Sequence, residues 1–214
     1  MPGDLEIVAP LIEDYLTRTY PPTDKIEEEM RALAAERGAF PIVGPLVGRL
    51  LELSARSIGA KRVLEVGSGF GYSAYWFSRA VGPQGKVILT EYDKANADRA
   101  KDFLGRAGFG ERIEIHVGDG VEIATQLSGS FDVAFFDLDK ARYALALQRV
   151  LPLVRVGGLL LADNVLWGGA VAREIRDEST DGLREYTRRV MNDSALYSMI
   201  VPIRDGVAIS LKLA

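Results

Sequence analysis

The segment Leu64-Glu65-Val66-Gly67-Ser68-Gly69-Phe70-Gly71-Tyr72-Ser73 decides how this chain folds. The apolar, β-branched run Arg62–Val66 leads into it and the amphipathic stretch Tyr72–Val81 leads out, so it reads as strand, glycine-rich turn and helix. Three glycines in five residues let the backbone turn sharply and approach a ligand closely, more than a plain turn requires. Downstream the alternation repeats. Lys86–Glu91, Ile113–Val117, Val133–Asp137 and Leu159–Ala162 read as buried strands, and Ala95–Ala107, Val121–Leu127 and Ala141–Val154 as helices. Such spacing implies βαβ units and a parallel sheet covered on both faces. The pattern then changes: a helix over Leu183–Met191 precedes two apolar runs, Leu196–Pro202 and Val207–Leu213, joined through Arg204-Asp205-Gly206. Asp-Gly between apolar runs signals an antiparallel pair. The expected architecture is α/β, with five parallel strands and a terminal antiparallel pair making seven.

Upstream, Asp4–Thr19 and Asp24–Arg37 are amphipathic and separated by Pro21-Pro22, and Pro41–Ile58 carries a long apolar face. The 214 residues suit a single domain, with residues 1–40 as a helical appendage on the domain or on a partner subunit. The chain has no cysteine and one histidine, His116. Disulfides, thiolate metal sites, thiol nucleophiles and any site needing two histidines are excluded. With 26 basic and 30 acidic residues the net charge is −4, which leaves no electrostatic footprint for nucleic acid. No apolar run approaches the ~20 residues of a membrane span, and the acidic start MPGDLEIVAP does not read as a signal peptide, so the expected location is the cytoplasm.

The turn has the spacing Gly-x-Gly-x-Gly, and an acid, Glu65, stands two residues before its first glycine. A dinucleotide pyrophosphate would be repelled by that carboxylate, whereas the sulfonium and ammonium of S-adenosylmethionine would be attracted. Glu91, at the end of the second strand, is placed to accept hydrogen bonds from ribose hydroxyls, which either cofactor carries. Gly118-Asp119-Gly120 ends the third strand and is placed to edge an adenine, or is a plain turn. Tyr72 either packs over the cofactor or takes part in ordinary helix packing.

The fourth strand ends in Asp137-Leu138-Asp139-Lys140 and the fifth in Asp163-Asn164. Neighbouring parallel strands lie about 4.8 Å apart, so these side chains can converge. Asp137, Asp163 and Asn164 would then offer three hard oxygen donors, suited to Mg²⁺, Mn²⁺ or Ca²⁺. The alternative is that they cap the helices that follow.

Gly67–Ser73, Asp137–Lys140, Asp163-Asn164-Val165-Leu166-Trp167-Gly168-Gly169 and Pro202-Ile203-Arg204-Asp205-Gly206, in this order, resemble the cation-dependent O-methyltransferases. That group includes catechol O-methyltransferase, the caffeoyl-CoA O-methyltransferases and bacterial relatives. The resemblance implies a Rossmann-like class I methyltransferase sheet. It implies a metal on Asp137, Asp163 and Asn164, and S-adenosylmethionine on Val43, Glu65, Gly67, Ser68, Ser73, Glu91 and Gly120, with Gly69, Tyr72, Asp119 and the Asp137 region completing the candidate cofactor site. Lys140 matches the lysine that assists deprotonation of the acceptor hydroxyl. The acceptor is expected to be a small phenol or catechol, and the assembly a homodimer. Gly168 stands where some plant members carry an acceptor-contacting asparagine, and Leu138 where the animal catechol enzyme has a histidine. Two other readings compete: an oxidoreductase on a dinucleotide Rossmann domain, and a non-catalytic nucleotide-binding scaffold. Trp167 either walls an acceptor ring or belongs to the core. His116 reads as structural, Glu27-Glu28-Glu29 as a solvated helix face, and Arg184, Arg188 and Arg189 as facing solvent or a subunit.

Overall fold

The computed structural model describes residues 6–36 and 41–214. Seven strands form one sheet: β1 (Arg62–Val66), β2 (Lys86–Glu91), β3 (Ile113–Val117), β4 (Phe131–Phe136), β5 (Val154–Ala162), β6 (Leu196–Val201) and β7 (Val207–Lys212). Their order is β3-β2-β1-β4-β5-β7-β6, with β1 to β5 parallel and β7 antiparallel to both β5 and β6. After β3 the chain crosses to the far side of β1, so a crevice opens at the carboxyl ends of β1 and β4, the place where open α/β sheets bind ligands.

Strand alternation divides the core into two layers. Val63, Val87, Leu89, Val133, Phe135 and Leu161 face one way, onto Val47 and Leu51 of α3 (Gly44–Ser57), Trp76 and Phe77 of α4 (Tyr72–Val81) and Leu104 of α5 (Lys94–Arg106). Leu64, Val66, Ile88, Ala134, Phe136 and Leu160 face the other way. They meet Val121 of α6 (Gly120–Gln126), Tyr143 and Ala146 of α7 (Tyr143–Val150), and Leu183 and Tyr186 of α8 (Glu178–Asn192). The fifth strand begins at Val154, five residues earlier than its apolar run suggests; a register shift between Phe131 and Val133 accommodates Gly157 and Gly158. The expected helix over 141–154 accordingly stops at Val150 and gives way to a short 3₁₀ turn, Leu151–Leu153.

The amino-terminal helices are α1 (Pro10–Thr19) and α2 (Lys25–Glu36); residues 4, 5 and 37 of the expected helices lie outside the described residues. The two helices behave differently. α1 buries none of its residues. α2 buries Met30 and Ala34, and with them Glu27, which corrects the reading of that charge run as a solvated face. Glu27 is 1% exposed and accepts hydrogen bonds from the Tyr72 and Thr23 hydroxyls and from Arg31 Nε at 2.9 Å. One turn away, Tyr75 donates its hydroxyl to Asp24 Oδ2 at 2.6 Å. A buried carboxylate is tolerated only when its lone pairs are occupied, so α2 docks on α4 through a satisfied polar network. Replacing Glu27 by Ala strands the buried Tyr72 hydroxyl. We expect a loss of about 2–3 kcal/mol in folding stability, read as a lower midpoint in urea unfolding, while Glu28→Ala, on the solvent side, stays within about 0.5 kcal/mol of the parent.

Candidate active site

Gly67 turns the chain out of β1 at φ 84°, and a Cβ there would overlap the carbonyl oxygen of Asp137. Gly71 opens α4 at φ 86°, with a Cβ only 2.9 Å from that of Ala100. Both positions therefore require glycine, for backbone conformation and for room. Between them the Gly67 and Ser68 amides donate to Thr90 O at 3.1 Å, and the Gly69 amide donates to Glu91 Oε2 at 2.7 Å. The Asp93 amide donates to Glu91 Oε1 at 2.9 Å. Each oxygen of Glu91 thus takes one backbone N–H, which fixes the carboxylate and leaves lone pairs for another donor.

A cleft of about 480 Å³ lies over this turn. Val43, Gly67, Ser68, Gly69, Tyr72, Ser73, Glu91, Asp119, Gly120, Asp137 and Lys140 all line it, so every sequence-predicted cofactor residue except Glu65 stands on its wall. Glu65 is fully buried behind that wall, where its Oε1 accepts the Ser73 hydroxyl and its Oε2 has no partner among the described residues. Burial, reinforced by the neighbouring Asp137 and Glu91, pushes its carboxyl up to about 8. Without ligand it is mostly neutral at pH 7. The attraction expected between a Glu65 carboxylate and a cationic cofactor is therefore coupled to loss of that proton. Tyr72 lines the cleft and also hydrogen-bonds Glu27 in the helix interface.

A second cleft, of about 460 Å³, adjoins the first at Ile42 and Val43. Asp163, Asn164, Gly168, Arg204 and Asp205 form one wall, and residues of the amino-terminal segment, Ile7 and Glu13 among them, form the other. Of the three predicted metal ligands, Asp137 lines the first cleft, and Asp163 and Asn164 line the second. β4 and β5 pair through Phe136↔Ala162, the Asp137 amide donates to Val66 O at 3.0 Å, and the Asp163 amide to Phe136 O at 3.0 Å. Asp163 is 4% exposed and its Oδ1 has no partner among the described residues. Burial, with a second contribution from Asp137, raises its carboxyl to about 7. Asn164 adopts φ 58°, a left-handed conformation that asparagine tolerates better than most residues. The capping alternative belongs to other acids: Asp139 caps the turn Lys140–Arg142 through the Ala141 amide, and Asp119 caps α6.

Lys140 is nearly buried. Its Nζ donates to Asp137 Oδ1 at 2.8 Å and to the Tyr143 hydroxyl at 3.1 Å, and lies 5.9 Å from the Trp167 ring. Tyr143 Oη in turn lies 2.9 Å from the Asp163 carbonyl oxygen. Trp167 therefore packs beside the lysine. Tyr143 was missed by sequence reasoning, although its place three residues after Lys140 was the available signal. Asp205 was noted only as part of a motif; its Oδ1 accepts the Gly168 amide at 2.6 Å and ties the β6–β7 connection to the loop after β5. Arg184 is a partial correction. Its guanidinium donates to the carbonyls of Ala170, Val171, Arg173 and Ile175 and so shapes the loop before α8, while Arg188 and Arg189 lie outside on the helix with Glu185. His116 pairs with Glu114 on the β3 edge, 2.6 Å apart.

The chain matches the O-methyltransferase family model over residues 21–213. A catechol O-methyltransferase from Niastella koreensis is 35% identical over 188 residues, covering 83% of this chain and 85% of that protein. A catechol O-methyltransferase from Mycobacterium tuberculosis is 39% identical over a shorter match, 61% of this chain and 60% of the relative. Among solved structures, the O-methyltransferase TomG from Streptomyces achromogenes, which takes part in tomaymycin synthesis and was crystallised with S-adenosylmethionine, superposes with a TM-score of 0.88. It is 27% identical, with 95% of this chain and 96% of TomG covered. The sheet order, the glycine turn over its cleft and these likenesses agree: the chain belongs to the O-methyltransferase family and has the Rossmann-like fold of its S-adenosylmethionine-dependent members.

Proposed function

We propose that this protein moves a methyl group from S-adenosylmethionine to one hydroxyl of a small catechol-like acceptor, with a divalent cation, Mg²⁺ first among the candidates, held by Asp137, Asp163 and Asn164. The observation that carries the metal is Asp163: a buried carboxyl with an unpartnered oxygen, beside a second carboxylate and an amide. Two carboxylates and a neutral oxygen donor suit a hard divalent ion. Among the described residues no group of three or more His, Cys, Asp or Glu is placed to hold a metal; the proposed set has two such residues, with Asn164 as its third donor.

The cofactor supplies a methyl carbon on a positive sulfur, open to displacement by an oxygen nucleophile. When bound, the cation supplies charge that favours the ionised form of the acceptor hydroxyl. This chain's residues do the rest. Glu91, fixed by two backbone amides, accepts from the ribose hydroxyls. Ser73 and the Gly67 turn receive the methionine end, with Glu65 behind them. Val43, common to both clefts, lies where donor and acceptor meet and excludes water there. Lys140 faces the reacting oxygen, taking its proton when neutral or balancing its developing charge as the ammonium. Holding nucleophile, carbon and sulfur in line supplies much of the acceleration. The dinucleotide reading is weaker, since Gly67, Gly69 and Gly71 lack the Gly-x-Gly-x-x-Gly spacing and Glu65 stands beneath them.

Asp163→Ala is expected to bind S-adenosylmethionine within a few-fold of the parent while methyl transfer falls by two or more orders of magnitude. EDTA should reproduce the loss in the parent protein and added Mg²⁺ or Mn²⁺ should reverse it. Transfer that proceeds undiminished in EDTA removes the metal from the mechanism. Two oxygens on adjacent carbons are needed to chelate one ion, so a catechol should react at least tenfold faster than the matching monophenol. Equal rates in Mg²⁺ would show that bidentate binding does not select the acceptor.

Glu65 makes a separate prediction about stability. Burial raises its carboxyl in the folded, ligand-free protein from the ordinary 4.5 to about 8, so between those values the folded state holds a proton that the unfolded chain releases. Its contribution is complete below about pH 4.5 and is lost as pH rises toward 8. Urea midpoints measured from pH 5 to 8 should therefore fall more steeply for the parent than for Glu65→Gln, which stays neutral throughout.

A further inference from the structure

An ion pair at the adenosine end of the first cleft is not used by the methyl transfer. Arg142, the last residue of the turn after β4, and Asp119, the residue before α6, both line the cleft. Arg142 Nη1 donates to Asp119 Oδ2 at 2.6 Å, and Nη2 donates to Oδ1 at 3.1 Å. This is a fork-on-fork pair, which fixes direction as well as distance. The same Oδ1 accepts the amides of Val121 at 3.0 Å and Glu122 at 3.2 Å. Four donors thus converge on a carboxylate with about four acceptor sites. Asp119 was expected to edge the adenine, yet little of it remains to accept from the base. Arg142 is in the opposite condition. Its two terminal nitrogens are occupied, but Nε has no partner among the described residues and the side chain is one-third exposed. A guanidinium gripped at its end keeps its planar faces for stacking.

We infer that Arg142, rather than Asp119, recognises the adenine of the cofactor, its guanidinium plane lying against the base while Asp119 holds that plane in place. The inference rests on the cofactor reading given above. Glu91 fixes the direction: with the ribose on its carboxylate and the methionine end toward Asp137, the base lies on the side of Gly118–Gly120 and Arg142. The surface there suits a flat, neutral, electron-rich ring. It offers a cation's face and, across the rim, Tyr92, an aromatic side chain left 83% exposed. Asp119 acts through Arg142 and is a positioning residue.

Calorimetric titration of the full-length protein with S-adenosylmethionine, S-adenosylhomocysteine and free adenosine tests this. Adenosine lacks the methionine end, so it reports the base and ribose subsites alone. Arg142→Ala should weaken all three ligands by a common factor of about ten, the scale of a cation–π contact with an aromatic ring. Arg142→Lys, which keeps the charge without the plane, should recover little of the loss. Asp119→Asn keeps the oxygen that caps α6 but releases the guanidinium, and should weaken adenosine several-fold. The unfolding midpoint of each ligand-free variant separates lost contacts from lost folding. The inference is overturned if Arg142→Ala binds adenosine as the parent does, or if Arg142→Lys matches the parent, since charge alone would then suffice. Failure of the parent itself to bind S-adenosylmethionine would instead overturn the cofactor assignment beneath it.

Discussion

One missing side chain joins the two halves of this site. Gly67 leaves β1 in a left-handed conformation with its Cα against the Asp137 carbonyl, where any Cβ would overlap that oxygen. The turn proposed to cradle the cofactor and the strand end proposed to offer the first metal ligand are therefore in contact. The hydrogen bond from the Asp137 amide to Val66 O holds the same junction from the β1 side. The Asp163 amide then donates to Phe136 O, which steps the arrangement across to β5. Methyl donor and acceptor oxygen must meet within bonding range, and this chain of close backbone approaches brings together the strand ends proposed to hold them.

The junction is paid for in buried acids. Glu65 is fully buried and Asp163 nearly so, and burial raises both carboxyls toward neutrality. Each faces the position where a positive group is proposed: the sulfonium and ammonium for Glu65, the divalent ion for Asp163. A carboxyl that is costly to ionise alone becomes favourable to ionise beside a cation, so site stability and ligand binding are linked through the same groups. Lys140 is the protein's own cation in this region. Its bond to Asp137 and its place between Tyr143 and Trp167 restrict a flexible side chain to one direction.

The fold was legible because its signals are local and repeated. Apolar strands ending in Gly67, Glu91, Gly118, Asp137 and Asp163 place each chemical group at the same end of the sheet, and strand ends are short-range features. What was not legible depends on contacts between elements distant in sequence. Glu27 looks like one of three consecutive solvated acids until α2 is laid on α4, when the Tyr72 hydroxyl turns it inward. Asp119 reads as part of a turn edging an adenine, and its two-point pair with Arg142 from the next strand's end is not visible in the spacing. Glu65 reads as a charged acid under the glycine turn, but its depth beneath Ser73, where burial makes it costly to ionise, follows from packing that no motif spacing encodes.

The two clefts are built differently, and on the proposed reading the difference bears on selectivity. The first cleft, proposed for the cofactor, rests on parallel strand ends joined by backbone bonds. The second cleft, proposed for the acceptor, is bounded by the loop after β5, by the β6–β7 connection and by residues before and within α1. Asp205 fixes the first two to each other through the Gly168 amide. The third wall rests on less. α1 buries no residue, and the tie recorded from its Glu13 to the opposite wall is an ion pair with Arg204 at 3.7 Å, between half-exposed side chains. Exposed pairs of that kind contribute at most about 1 kcal/mol. On the proposed assignment, the cleft built on strand ends serves the common donor, whereas the cleft that would discriminate among acceptors has one wall held by weak contacts. If the second cleft takes the acceptor as proposed, changes in acceptor preference arise first from residues of the amino-terminal segment such as Ile7 and Glu13, which line it without belonging to the sheet.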